Sequence, residues 1–257
     1  TGPVPPANDN DSPQRQPRPL RPRPPAPAPP APRLFRAAAP ARHMSVPHVS
    51  VTVVSLWRRR DDAEGNPMHR PLTRERIGAD EQPAAVAPVE GVKASSDWHR
   101  DRQVRERRHV PDPDARAVLV QCEEHYAALA AHFPTVDELR TEANVFGENV
   151  VVRGAALADA WCVGDVLHVR RSGATVLVLR VTAPRVPCYK IDCRCHCSHR
   201  PPAYSVQHAC IATGLAGAFV AVAGDGGSIS DGDRIELAHR PLPHLTLRRV
   251  SELCYGH

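Results

Sequence analysis

From residue 149 onward the chain reads as short apolar runs at close spacing, each bounded by turn residues, and this pattern limits the fold more than any other feature. Asn149 to Val152 is one run. Val163-Gly164-Asp165 turns into Val166 to Val169, and Ser172-Gly173 then turns the chain into Thr175 to Val181. Two β-prone runs separated by a Gly-containing turn predict a hairpin. Asp231-Gly232-Asp233 leads into Ile235 and Leu237, so two equivalent turn-to-strand corners are expected. Phe219 to Val222 and Leu245 to Leu247 add two further expected strands. Upstream, Ser50 to Leu56 and Ala115 to Val120 read as strands. Glu123 to His132 reads as a helix, with acids in its first turn and Pro134 stopping it. Short strands at this spacing predict a mostly-β, closed or nearly closed barrel with a few short helices, from about residue 49 to 255.

The net charge of +5 raises the question of nucleic acid. Residues 1–60 hold ten Arg and two acids, whereas the remainder holds 23 basic and 26 acidic residues. The positive charge therefore belongs to the N-terminal stretch. A nucleic-acid-binding domain carries its basic surface on the folded part, and only 4% of the residues are aromatic, too few for a base-stacking platform. No nucleic-acid partner is expected. Residues 1–43 contain 14 Pro. Proline fixes φ and removes a donor, so this stretch is expected to be a disordered tail. It is also Arg-rich, with no acid between Asp11 and Asp61, which fits an organelle-targeting segment; the other account makes Met44 the true start. Residues 61–112 are polar and irregular, with no long helix expected. No apolar run approaches the roughly 20 residues that span a bilayer. A soluble protein without stable membrane insertion, cytoplasmic or mitochondrial, is the expectation.

Two segments carry chemistry. In Val145-Phe146-Gly147-Glu148-Asn149-Val150, a carboxylate and an amide stand at the mouth of a strand; the plainer account is a turn that caps its own backbone. In Thr182-Ala183-Pro184-Arg185-Val186-Pro187-Cys188-Tyr189-Lys190, two prolines stiffen the loop after a strand. Arg185 and Lys190 flank Cys188 and favour its thiolate, the form that ligates metal. A soft thiolate suits a thiophilic centre; the plainer account is a buried, inert cysteine.

In this order the two segments resemble the MOSC family, named for the C-terminal domain of molybdenum cofactor sulfurases. Asp101-Arg102-Gln103, His109, Arg116-Ala117-Val118, Gly232-Asp233, Arg240-Pro241 and Leu253-Cys254-Tyr255-Gly256 extend the likeness over Val49 to Tyr255. The branch most similar is the stand-alone bacterial type that includes reductases of N-hydroxylated purines. The resemblance implies a barrel-like fold that binds the molybdenum cofactor, Mo-molybdopterin, with Cys188 as metal ligand and catalytic residue. It implies cofactor contacts from Arg185, Lys190, Glu148, Asn149, Arg102 and His109, the Arg100–His109 run being suited to the cofactor's phosphate. It also implies reduction of a small N-hydroxylated substrate with electrons from partner redox proteins.

The chain departs from the pattern in two places. The family's His-Gly-Gly is His109-Val110-Pro111 here, and a segment from Cys193 to Cys210 is inserted after the cysteine motif. Its three alternating cysteines, with His196, His199 and His208, allow zinc; their spacing fits one zinc poorly, and a flexible, oxidation-prone loop is the alternative. Two other functions stay open: a carrier of sulfur or cofactor using a persulfide on Cys188, and a non-catalytic interaction protein on a decayed MOSC fold. A carrier fused to a desulfurase would need a pyridoxal-phosphate region, and the sequence contains none, so the reductase is the preferred expectation.

Overall fold

The fold was described from a computed structural model covering residues 48–59, 74–87, 91–92, 113–141, 144–197 and 205–255. These lie in one compact unit, Ser45–His257. The N-terminal tail, Arg102, His109 and His199 lie outside the described residues.

The first strand, β1 (Ser50–Arg59), shows how the sequence builds the barrel. Val51 and Val53 are buried while Thr52 is exposed, the alternation of a half-buried strand. A bulge between Val53 and Ser55 then adds one residue, so Leu56, which strict alternation would turn outward, enters the core. Three short strands follow, β2 (Arg74–Arg76), β3 (Ala84–Ala87) and β4 (Gly91–Val92). A 3-10 turn at Pro113–Arg116 precedes β5 (Val118–Cys122). Helices α1 (Glu123–His132) and α2 (Glu138–Thr141) then lead to β6 (Val150–Arg153). Strands β5 and β6 pair in parallel, and a parallel pair needs such a crossover connection.

After α3 (Leu157–Ala160), the hairpin of β7 (Val166–Arg171) and β8 (Ala174–Pro184) turns at Ser172-Gly173, as expected. The remaining elements are α4 (Lys190–Arg194), α5 (Val206–Thr213), β9 (Ala218–Ala223), β10 (Gly227–Ile229), β11 (Arg234–His239) and α6 (Leu247–Tyr255). Strand order β11-β7-β8-β9-β5-β6-β1, closed by pairing of β1 with β11, makes a seven-stranded barrel; β2 extends it from β1. Strands β10, β3 and β4 form a separate small sheet. The expected mostly-β barrel with short helices is therefore the observed architecture. No helix among the described residues is long and apolar enough to cross a membrane.

Two cores result. Valines and leucines from the inward faces of the strands fill the barrel, together with Trp161 and Leu247. A second core outside it joins Tyr126, Leu129, Phe133, Leu139 and Phe146 to Ile191, Cys195, Val206 and Cys210.

Three expectations need correction. Leu245–Leu247 is not a strand: Thr246 makes one isolated bridge to Cys162, and Leu247 opens α6. Leu247 and Ser251, four residues apart, are the buried positions of that helix, a helical rather than a strand period. The strand expected from Ala115 begins at Val118, because Pro113 starts a 3-10 turn. The Cys193–Cys210 insertion is not a flexible loop where it is described. Its residues form parts of α4 and α5, and Cys195, Cys197 and Cys210 are buried in the second core.

Candidate functional site

Strand β8 ends at Pro184, and the loop that follows is held from three directions. The Arg185 N–H donates to Gly217 O at 2.9 Å. Gln207 Nε2 donates to Pro187 O at 3.1 Å. The Cys188 carbonyl accepts from Ile191 N at 3.1 Å. Gly217 is required for the first contact: its φ is +91°, and a Cβ there would stand 2.3 Å from Val120 O.

The insertion supplies the outer brace. Buried Asp192 accepts from Ser205 Oγ at 2.6 Å, from Gln207 N at 2.9 Å and from Cys197 Sγ at 3.3 Å. The added segment therefore fixes the loop that carries Cys188. Cys188 itself is exposed, so the account of it as a buried, inert thiol does not hold.

Beneath the loop lies a buried polar cluster. Tyr126 Oη donates to Glu148 Oε1 at 2.6 Å and accepts from Val145 N at 2.9 Å. Asn144 N donates to the same carboxyl oxygen at 2.8 Å, and Asn144 Nδ2 donates to Glu148 O at 2.7 Å. Asn144 has a φ of +75°, a conformation that asparagine tolerates better than most residues. Burial pushes the Glu148 carboxyl above the usual range, and the hydrogen bond from Tyr126 and the charge on Arg185 work against that shift. Burial likewise holds Tyr126 well above its ordinary value, so it stays a donor.

Arg185 lies with its guanidinium carbon 5.7 Å from the centre of the Phe146 ring. The residue is half-buried as a whole, but its Nη1 end is closed off from solvent. Burial lowers its pKa, while Cys188, first among the neighbouring acidic groups, and then Glu148 oppose the shift. Arginine remains a cation throughout.

Three buried atoms here have no hydrogen-bond partner among the described residues: Arg185 Nη1, a donor, and the oxygens Asn144 Oδ1 and Glu148 Oε2. A buried polar atom without a partner costs about 1–3 kcal/mol, so a donor and an acceptor left open together fit a ligand with polar oxygens. An exposed soft thiol beside a fixed cation completes the set. One thiolate suffices for a metal whose other ligands arrive on an organic cofactor, so the residues present fit the molybdenum cofactor.

The structure brings Cys188, Arg185 and Glu148 together. Asn149 faces elsewhere: its Oδ1 accepts from Leu119 N at 3.0 Å, and its carbonyl accepts from Trp57 N at 2.8 Å, tying β5 and β1 to the turn. Lys190 is half-buried at the start of α4. The positions of Arg102 and His109 are not described. Tyr126, Asn144 and Asp192 were missed by sequence reasoning. The only hint was the acidic, tyrosine-containing start of α1, since their partners lie across the fold.

The zinc account of the insertion gains no support. Among the described residues no group of three His, Cys, Asp or Glu side chains converges on a metal position. Burial raises Cys195 to about 12 and Cys210 higher still, values of unreactive thiols.

This geometry defines a class, a closed barrel that presents an exposed thiol at its rim beside a half-buried cation and a buried carboxyl. Residues 105–236 match the MOSC domain model, half of the chain, and the protein belongs to the MOSC family. No curated protein matches it. A crystal structure described only as a hypothetical protein superposes with a TM-score of 0.55 at 16% identity, covering 82% of this chain and 76% of that one; it shows a shared fold. YiiM from Escherichia coli is 25% identical with a TM-score of 0.46, over 57% of this chain and 65% of its own, slightly under two thirds. YiiM from Geobacillus stearothermophilus is 17% identical with a TM-score of 0.48, over 79% and 83%.

Proposed function

We propose that this chain binds the molybdenum cofactor through Cys188 and reduces N-hydroxylated compounds with electrons from partner redox proteins. The observation that carries the reading is the exposed Cys188 thiol next to half-buried Arg185, whose Nη1 is closed off from solvent, and buried Glu148, each with one polar atom open. The net reaction, R–NH–OH + 2 e⁻ + 2 H⁺ → R–NH₂ + H₂O, consumes two electrons and two protons. Bound at Cys188, the cofactor would supply the oxygen-abstracting redox chemistry.

The chain's own groups have separate tasks. Arg185 sets a cation beside the Cys188 loop and offers Nη1 to a ligand oxygen. Glu148 accepts two hydrogen bonds at Oε1 and leaves Oε2 open to a ligand donor. Tyr126 and Asn144 keep that carboxyl in one orientation. Arg102 and His109 complete the proposal as contacts for the cofactor's phosphate.

The test uses protein from a cofactor-competent host. Wild type is expected to carry molybdenum and pterin and to reduce an N-hydroxylated base with an artificial donor. Cys188→Ser is expected to keep its melting temperature, lose the rate and show altered metal content or spectrum, because serine is a harder and less acidic ligand. Wild type that carries cofactor, lacks the rate and transfers a Cys188 persulfide would replace the reductase with a carrier. Wild type without molybdenum would overturn both and leave the interaction protein.

A further inference from the structure

A groove of about 550 Å³ runs along the outside of the barrel, where α1 and α2 lie against β1 and β6. That volume lies within the range of small-molecule sites. Its floor is apolar, with Val54 and Val151 from the strands and Ala127, Ala130 and Leu139 from the helices. Val54 lies on the outward face that follows buried Val53. Ala127 and Ala130 are three apart on α1 and so share a face; their short side chains leave open the space that a leucine would fill.

One wall is Trp57. Its Nε1 donates to Ser55 Oγ at 2.9 Å, so the polar edge of the indole is satisfied and the ring is available for apolar contact. The rim is cationic. Arg76 reaches Asp231 at 3.2 Å through an exposed pair, worth little in water. The Arg140 guanidinium, also on the rim, forms no ion pair among the described residues. Glu123, the acid in the lining, is already held by Arg153 Nη2 at 3.0 Å. Among the described residues, the lining therefore pairs an aromatic wall and an apolar floor with one arginine, Arg140, that no carboxylate holds in an ion pair.

We propose that this groove is a second ligand site, separate from Cys188, that takes a planar aromatic anion. The ring system would lie between Trp57 and the alanines, and the anionic group would meet Arg140. Tyr126 also lines the groove, and its hydroxyl bonds Glu148, so one side chain touches both sites.

The test is fluorescence titration of the full chain with two probes, 8-anilinonaphthalene-1-sulfonate and the uncharged N-phenyl-1-naphthylamine. Wild type is expected to bind the sulfonate saturably at one site. Ala130→Leu fills the groove and should weaken both probes about tenfold or more. Arg140→Gln should weaken the sulfonate alone, by about five- to tenfold. Cys188→Ser should leave both titrations unchanged. Melting temperatures check that each variant is folded, and Arg140→Gln, a surface change, stands independently of the core. Absence of saturable binding, wild-type affinity in Ala130→Leu, or loss of binding in Cys188→Ser would overturn the site. Equal behaviour of the two probes in Arg140→Gln would overturn its selectivity for anions.

Discussion

Arg240 closes on the buried Asp165 carboxylate with two parallel hydrogen bonds, Nε to Oδ1 at 2.9 Å and Nη2 to Oδ2 at 2.7 Å. The same device recurs at the second Gly-Asp corner, where Arg171 grips Asp233 at 2.8 and 2.7 Å. In each corner the carboxylate also accepts a backbone N–H three residues earlier, from Cys162 at 2.9 Å and Ser230 at 2.8 Å. The Arg240 side chain is 10% exposed and the Arg171 side chain 30%. Asp165→Asn, which strands a buried cation, is expected to destabilise the fold by about 3 kcal/mol. Asp233→Asn should cost less, about 1–2 kcal/mol, because water reaches its partner. Denaturant titration of both variants checks the order; equal losses would show that burial of the arginine is irrelevant.

His125 predicts an acid-sensitive fold. It is fully buried, and its Nε2 accepts from Ala158 N at 3.0 Å. The proton must then sit on Nδ1, which donates to Gln121 Oε1 at 2.8 Å. Burial, followed by the charge on Arg248, lowers its pKa from 6.5 to about 4. Between those values the unfolded chain binds more protons, so stability present above about pH 6.5 is lost as pH falls toward 4, up to about 3 kcal/mol. Unfolding free energies of wild type and His125→Gln between pH 7 and 4 should converge with acid. Parallel curves would refute the assignment.

Two glycines with positive φ should respond differently to alanine. At Gly173 (φ +83°) a Cβ meets nothing within 4 Å, so Gly173→Ala costs only the backbone term, about 1 kcal/mol. At Gly217 the Cβ would collide with the Val120 carbonyl, and the Arg185 loop hangs from that residue. Gly217→Ala is expected to cost on the order of 3 kcal/mol or more. A small loss there would mean that β9 and β5 can separate easily.

Tyr126 and Glu148 should prove energetically coupled. Tyr126→Phe removes a donor to Glu148 Oε1 and an acceptor for Val145 N, a loss of about 2–3 kcal/mol. A double-mutant cycle with Glu148→Gln is expected to show a coupling of about 1 kcal/mol or more. Strict additivity would separate the two residues.

Much of the scaffold was legible because strand signals are local. The alternation in Ser50–Leu56, the Ser172-Gly173 turn and the acidic start of Glu123–His132 each identify one element without reference to the rest. The strand assigned to Leu245–Leu247 failed for the converse reason. Three apolar-spaced residues do not separate strand from helix, and only burial of Leu247 and Ser251 against the barrel selects the helix. The Cys193–Cys210 insertion, expected as a flexible, oxidation-prone loop with zinc as the lesser alternative, forms parts of α4 and α5 where it is described, and the second core takes Cys195, Cys197 and Cys210 as small apolar residues while Cys193 stays exposed.

The sequence by itself determined the class of fold and the family, since strand period, turn chemistry and motif order are properties of neighbouring residues. Only the tertiary structure decided that Glu148 turns inward to Tyr126 while Asn149 braces β5, although the two are adjacent in the chain. Successive residues at a strand mouth point in opposite directions, and which direction meets a tyrosine, a cation or a backbone amide depends on elements dozens of positions away.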